Sequence, residues 1–253
     1  MKMVAYDSLE VRTHATREEL GDAAASAATE TIRAAIATRG EARVIFACAP
    51  SQWEFLAALV RRPITWGKVT VFHMDEYVGL RAEHPQSFRN FLYLHLLNHI
   101  DEPKAVHLIQ AEKDPMHEIS RYSHLLAEKP IDLVCMGIGE NGHLAFNDPP
   151  VADFQDPRLV KIVELDEGCR RQQVNDGCFA DFEAVPAHAL TLTIPALMGA
   201  KEVCCCAPGE RKANAVHDTL LGPITKECPA SILRRHPHAV LHLDPASASH
   251  LTE

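Results

Sequence analysis

Two short segments of this chain place acids and a histidine where they could move protons. Ile131–Pro150 reads IDLVCMGIGENGHLAFNDPP, an apolar run entering a glycine-rich turn that ends in His143 and Asp148. Val69–Glu76 reads VTVFHMDE, an apolar run that stops at Asp75 and Glu76. Histidine titrates near neutral pH, and a carboxylate raised by partial burial can act as a base in the same range. Gly137, Gly139 and Gly142 also spell GxGxxG after a strand, with Glu164 about 20 residues further on, the spacing of a dinucleotide fingerprint. That fingerprint needs a helix opening at the third glycine, so that free N–H groups can meet a pyrophosphate. Here Pro149-Pro150 forbids a regular helix. The glycines are therefore expected to hold a tight loop that aims His143 and Asp148 into a cleft.

The elements that must position these residues follow from apolar periodicity. Residues 17–39 predict an alanine-rich helix, 42–47 a strand, and Ser51 with Glu54 a capping box opening the next helix. Further strands are expected at 69–73, 105–109, 131–136, 160–164, 189–194, 203–207 and 240–243, and helices at 85–100 and 115–128. Fully apolar strands alternating with helices imply a three-layer α/β/α, Rossmann-like fold with a mostly parallel sheet. No repeat or flexible linker divides residues 1–253, which are read as a single domain. In such sheets ligands bind beyond the C-terminal strand ends. Residues 48–51, 74–76, 139–148 and 209–212 are the corresponding segments, so a hydroxyl, acids, a histidine and Lys212 can converge on one site.

Composition narrows the partners. The chain has 253 residues, a net charge of −9 and no basic run, which argues against nucleic acid and anionic membrane. The N-terminus lacks an apolar stretch, so neither a signal peptide nor an anchor is expected. Of the eight cysteines, Cys48, Cys135 and Cys204–Cys206 lie in apolar segments and read as reduced, packed thiols, pointing to the cytoplasm. Cys169 and Cys178 are read as structural. There is no CxxC and no HExxH, and His95 and His99 share an apolar helical face, so no metal is expected.

The same segments resemble the glucosamine-6-phosphate deaminase (isomerase) family, within the wider glucosamine-6-phosphate isomerase/6-phosphogluconolactonase superfamily. VFHMDEYVGL (71–80) with HPQSF (84–88) is similar to its MDEYVGL…HPxS segment, and GIGENGHLAFNDP (137–149) to its GxGxDGHIAFNEP loop. VPAHALTLTI (185–194), GERKANAV (209–216) and SILRRHPHAVLHLD (231–244) follow in the family's order. The related 6-phosphogluconolactonases usually continue GHxASLFP and carry DER in place of DEY. The resemblance implies cofactor-free conversion of glucosamine 6-phosphate and water to fructose 6-phosphate and ammonia. It implies that Asp75 moves a proton between C2 and C1 of the open-chain sugar, that His143 assists ring opening, and that Asp148 is its carboxylate partner. Ser51, Gln52, Gly139, Arg171 and Lys212 would hold the substrate and its phosphate. Many relatives form oligomers, so a homo-oligomer is expected.

The chain departs from the family pattern at three places. Asn141 stands where many members carry an aspartate that polarises the histidine; an amide can orient the ring but brings no charge. Asp148 replaces a glutamate, one methylene shorter, a change of about 1.5 Å that can cost ~10²-fold unless the loop compensates. The loop Ala47-Cys48-Ala49-Pro50-Ser51-Gln52 lacks the family's glycine pair, so its shape must differ. Three alternatives follow: a galactosamine-6-phosphate deaminase, a 6-phosphogluconolactonase, which FND in place of SLFP disfavours, and a non-catalytic sugar-phosphate-binding homologue.

Overall fold

The computed structural model describes residues 2–165, 167–175 and 178–251; the side chain of Cys169 lies outside the described ones. Strands β1 (Lys2–Tyr6), β2 (Leu9–Thr13), β3 (Ala42–Phe46), β4 (Val69–His73), β5 (Asp75–Tyr77), β6 (Ala105–His107), β7 (Leu133–Met136), β8 (Val160–Glu164), β9 (His188–Leu192), β10 (Glu202–Cys206) and β11 (Ala239–Leu243) build two sheets. Eight of them form one sheet in the order β1-β2-β11-β10-β7-β3-β4-β6. Every pairing in it is parallel except β1 with β2.

Alternation along the central strands creates two apolar faces. Ile45, Val134, Met136 and Cys205 pack with Tyr122 and Leu126 of α4 (Pro115–Ala127), Leu197 of α6 (Ile194–Met198) and Val216 of α7 (Ala213–Leu221). Val44, Phe46, Leu133, Cys135, Cys204 and Cys206 face the other way. They meet Ala24, Ala28 and Ile32 of α1 (Arg17–Arg39), Phe55 and Leu59 of α2 (Trp53–Leu59) and Leu92 of α3 (Phe88–His95). A strand buried on both faces has no polar side to offer water, which is why these segments read as unbroken apolar runs. The remaining helix, α5 (Glu167–Asn175), follows β8.

Three expectations need correction, and one pair of strands was not expected. Residues 2–13 form an antiparallel hairpin that adds two strands at the sheet edge. β8 and β9 do not join the main sheet; with β5 they make a separate antiparallel sheet in the order β5-β9-β8. The capping box at Ser51 does not form. Pro50–Gln52 is a 3-10 turn, and Glu54 instead accepts hydrogen bonds from Arg17 of α1 at 2.9 and 3.1 Å. The helix expected from Pro85 to Ile100 is α3 alone, followed by a 3-10 turn at Leu97–His99.

Buried histidines make the fold sensitive to acid. His14 Nε2 and His242 Nδ1 lie 3.1 Å apart with their rings stacked, and burial, then the charge of His242, pulls His14 down to about 4. His73 accepts the Ile109 N–H at 2.7 Å through Nε2, and burial, then Arg89, lowers it to about 3. The unfolded chain binds a proton at each near pH 6.5, whereas the folded chain binds it only well below. Their stability contribution is complete above pH 6.5 and is lost as pH falls toward 4. Between pH 6.5 and 5, His14 alone accounts for about 2 kcal/mol. The drop in Tm from pH 7.5 to pH 5 should therefore be smaller in His14→Asn than in the wild type by about 5 °C. Equal drops in calorimetry would contradict this.

Candidate active site

Because the central strands are parallel, the segments leaving β3, β4, β7 and β10 emerge at one edge of the sheet and surround a cleft of about 410 Å³. Ser51, Asp75, Gly139, His143 and Lys212 line it on the polar side, and Trp53, Phe88, Phe91, Leu94 and Phe146 on the apolar side. Gln52 contacts Ser51, and Asn141 and Asp148 contact His143, from outside the lining.

His143 is the centre of a small network. Its Nδ1 lies 2.8 Å from Asn141 Oδ1 and 3.1 Å from Asp148 Oδ1. The Asn141 side-chain amide donates to the same Asp148 oxygen at 2.8 Å, and its Oδ1 also accepts the His143 backbone N–H at 3.1 Å. With acceptors gathered at Nδ1, the ring proton is held there and Nε2 carries the lone pair, the arrangement a general base needs. Asp148 is largely buried, which raises its proton affinity. Hydrogen bonds from His143 and Asn141, with the charge of His143, outweigh burial and hold the carboxyl below its ordinary range. The shortening from glutamate to aspartate is thus met by the loop, which brings the carboxylate to the ring.

Glycine is required at two points of this loop. A Cβ on Gly139 would lie 2.2–2.3 Å from three atoms of the His143 ring, so the ring packs flat against bare backbone. Gly142 has φ of +83°, and a Cβ there would meet Cys228 Sγ at 2.7 Å. Gly139→Ala is expected to push the ring off its partners and lower kcat between ~10- and ~10²-fold. Unchanged turnover, with the fold confirmed by circular dichroism, would show that the ring position does not matter.

Asp75 and Glu76 occupy successive positions of β5, so their side chains leave opposite faces of the strand. Asp75 lines the cleft and is 7% exposed; burial, then the Glu76 charge, raises its pKa well above the ordinary value. Burial pushes the Cys48 thiol upward as well, with both carboxylates contributing.

The opposite end of the cleft is built from two turns. Ser51 lies in the 3-10 turn after β3, and its Oγ accepts from Gln52 Nε2 at 3.2 Å, while the same amide reaches the Met136 carbonyl at 3.3 Å. Lys212 ends the 3-10 turn that opens α7. That turn follows Gly209, whose φ is +95° and whose N–H is held by both oxygens of Asp244 at 3.1 Å. Arg211 bridges to Glu140 at 2.7 Å, tying this turn to the histidine loop.

Arg171 is not brought to the cleft lining. It is exposed, paired with Glu167 one helical turn earlier, and its guanidinium sits 5.2 Å from the Phe182 ring. Residues that sequence reading passed over include Trp53, Phe88, Phe91 and Leu94 along the apolar wall. They also include Asp244, whose place at the end of a parallel strand was the available signal. Tyr77, Phe88 and Phe146 stack around the Asp75 strand with centroids 5.1–5.7 Å apart. Among the described residues, no three His, Cys, Asp or Glu side chains group as a metal site, and no helix is long and apolar enough to cross a membrane.

Residues 15–242 match the family model described as glucosamine-6-phosphate isomerases/6-phosphogluconolactonase. The glucosamine-6-phosphate deaminase of Exiguobacterium sibiricum is 38% identical over 185 residues, 73% of this chain and 71% of its own. That of Bacillus cereus is 34% identical over 238 residues, covering 94% of this chain and 87% of its own. A solved structure described as a monomeric glucosamine-6-phosphate deaminase superposes with a TM-score of 0.86 at 29% identity, over 95% of this chain and 99% of that one. A 6-phosphogluconolactonase from Shewanella baltica shares the fold, with a TM-score of 0.76 at 17% identity over 92% of this chain and 97% of that one. A match over nearly the whole chain, with relatives above 30% identity along most of their length, means that the chain belongs to the glucosamine-6-phosphate isomerase/6-phosphogluconolactonase family.

Proposed function

We propose that this protein is an enzyme that converts glucosamine 6-phosphate and water to fructose 6-phosphate and ammonia. The observation that carries it is one cleft holding both a buried carboxylate, Asp75, and a histidine set by Asn141 and Asp148. His143 opens the pyranose, taking the C1 hydroxyl proton and delivering it to the ring oxygen, which leaves the imidazole neutral again. Asp75 then removes the C2 proton, giving an enolamine, and returns it to C1. The resulting C2 imine adds water and expels ammonia, so the atoms of the sugar, the water and the ammonia balance. The proton shift reduces C1 at the expense of C2 within the sugar, so no step calls for an external oxidant or reductant.

The phosphate is assigned to Ser51 and Lys212, with Gln52 fixing the serine hydroxyl and Gly139 leaving room for the ring of His143. The Glu167 pair and the exposed position take Arg171 out of this assignment. Free, buried thiols at Cys48, Cys135, Cys204, Cys205 and Cys206 fit a reducing compartment, and we assign the protein to the cytoplasm on that basis. A homo-oligomer is the proposed assembly.

The test is incubation of the purified protein with glucosamine 6-phosphate while ammonia and fructose 6-phosphate are measured together. Equal amounts of both are expected. Binding without release of either would leave a sugar-phosphate-binding protein in place of the enzyme.

A further inference from the structure

Glu76 is fully buried and accepts hydrogen bonds on both oxygens. Oε1 takes the N–H groups of Tyr77 at 3.0 Å and Phe88 at 3.1 Å. Oε2 takes the Ser87 hydroxyl at 2.8 Å, the Arg89 N–H at 3.0 Å and Arg89 Nε at 3.4 Å. All five are donors and favour the ionised carboxylate, but burial outweighs them and leaves its proton affinity raised. Three of the five donors are the first groups of α3, whose own N-cap, Ser87, makes no side-chain capping bond. The carboxylate of β5 therefore caps a helix that begins twelve residues later, where a negative charge is favoured by the helix dipole. That helix is the apolar wall of the cleft, through Phe88, Phe91 and Leu94.

We propose, taking Asp75 as the base of the reaction above, that Glu76 is a positioning residue: one buried carboxylate locks the α3 wall to the strand carrying the base and sets the charge against which that base ionises. Period-two alternation makes both effects possible, because Asp75 faces the substrate only when Glu76 faces α3. The groups around the pair are few. Arg89 faces Glu76 from α3 and is shared with Glu112 at 2.7 Å and the Leu80 carbonyl at 2.7 Å. The Cys48 thiol faces both carboxylates from the end of β3, and His143 and Lys212 line the same cleft from their loops. His73, at the end of β4, lies within the field of Arg89.

Two variants and two readouts separate the roles. Glu76→Gln keeps the shape and an acceptor but removes the charge; Ser87→Ala keeps the charge and removes one donor. In Glu76→Gln the acid limb of kcat/KM should move to lower pH by about one unit, and KM should rise several-fold as α3 loosens. In Ser87→Ala KM should rise without movement of the acid limb. The carboxyl carbon of Asp75, assigned by its loss in Asp75→Asn, can be titrated by 13C NMR without substrate. Its midpoint should fall by about one unit in Glu76→Gln. A midpoint unmoved by Glu76→Gln overturns the proposal, as does a wild-type KM in Ser87→Ala should Glu76→Gln fail to fold. If the wild type releases no ammonia while the Asp75 midpoint still shifts, the assigned reaction fails and the coupling of the two carboxylates stands.

Discussion

Asp75→Asn is expected to lose at least ~10³-fold in kcat and to leave the fold intact. The C2 proton of an open-chain amino aldose is weakly acidic, so its removal needs a base of matching strength held within hydrogen-bond reach. Asp75 meets this because burial and Glu76 raise its proton affinity, which an exposed carboxylate would lack. The amide has the same shape and cannot accept the proton. The sign for stability is opposite to that for activity. A carboxyl whose pKa is raised on folding costs the folded chain stability as pH rises from the ordinary carboxyl value to the raised one. In that interval the unfolded chain has already given up a proton that the folded chain keeps; above the raised value the cost is constant. The Tm of Asp75→Asn should therefore meet or exceed that of the wild type, with the gap opening across that interval and holding above it. Turnover measured as ammonia release and Tm by calorimetry check both halves. Retained turnover would mean that another group takes the C2 proton. A Tm well below wild type would mean that Asp75 serves packing more than chemistry.

Much of this was legible in the residues. Apolar runs at 42–47, 69–73, 131–136 and 203–207 could satisfy both faces only in a covered parallel sheet, and the segments after them are the ones that meet at the cleft. What was hidden depended on partners far along the chain. Pro85 marks a plausible helix start, yet the helix begins at Phe88 because Glu76 supplies its cap from another element. Ser51 and Glu54 have the spacing of a capping box, but Arg17 from α1 takes the glutamate. The apolar run 69–73 reads as stopping before Asp75 and Glu76; pairing with β9 makes Asp75–Tyr77 a strand of its own and divides the two acids between two faces. The edge hairpin was missed because β1 is largely exposed, with Met3 and Val4 open to solvent, so its pattern carries little burial signal. Arg171 had the right charge in the right segment, but charge alone does not say which way a helix turns its side chain.

The departure at Asp148 is where a family pattern and this structure give opposite expectations. By pattern, restoring glutamate should improve the enzyme. By geometry it should not, because the aspartate already lies 3.1 Å from His143 Nδ1 and 2.8 Å from the Asn141 amide. An added methylene must fold back or push the ring away, and a carboxylate displaced by about an ångström loses both bonds. Asp148→Glu is thus expected to cost about tenfold in kcat. Asp148→Asn should cost more, ~10²-fold, for an electrostatic reason. His143 gathers positive charge as it takes the C1 hydroxyl proton, and Asp148 is the carboxylate in its network, since Asn141 orients the ring without charge. Binding should be spared in both variants, because neither removes a group assigned to the phosphate, so kcat should fall with KM nearly unchanged. Acid does not reproduce this loss on its own, because Asp75, whose proton affinity is raised, is protonated before Asp148, which is held below the ordinary carboxylate range. If Asp148→Glu instead matches or exceeds the wild type, the loop yields enough to seat the longer side chain. The contacts at Asp148 would then be one of several productive arrangements rather than the one the loop is built to hold.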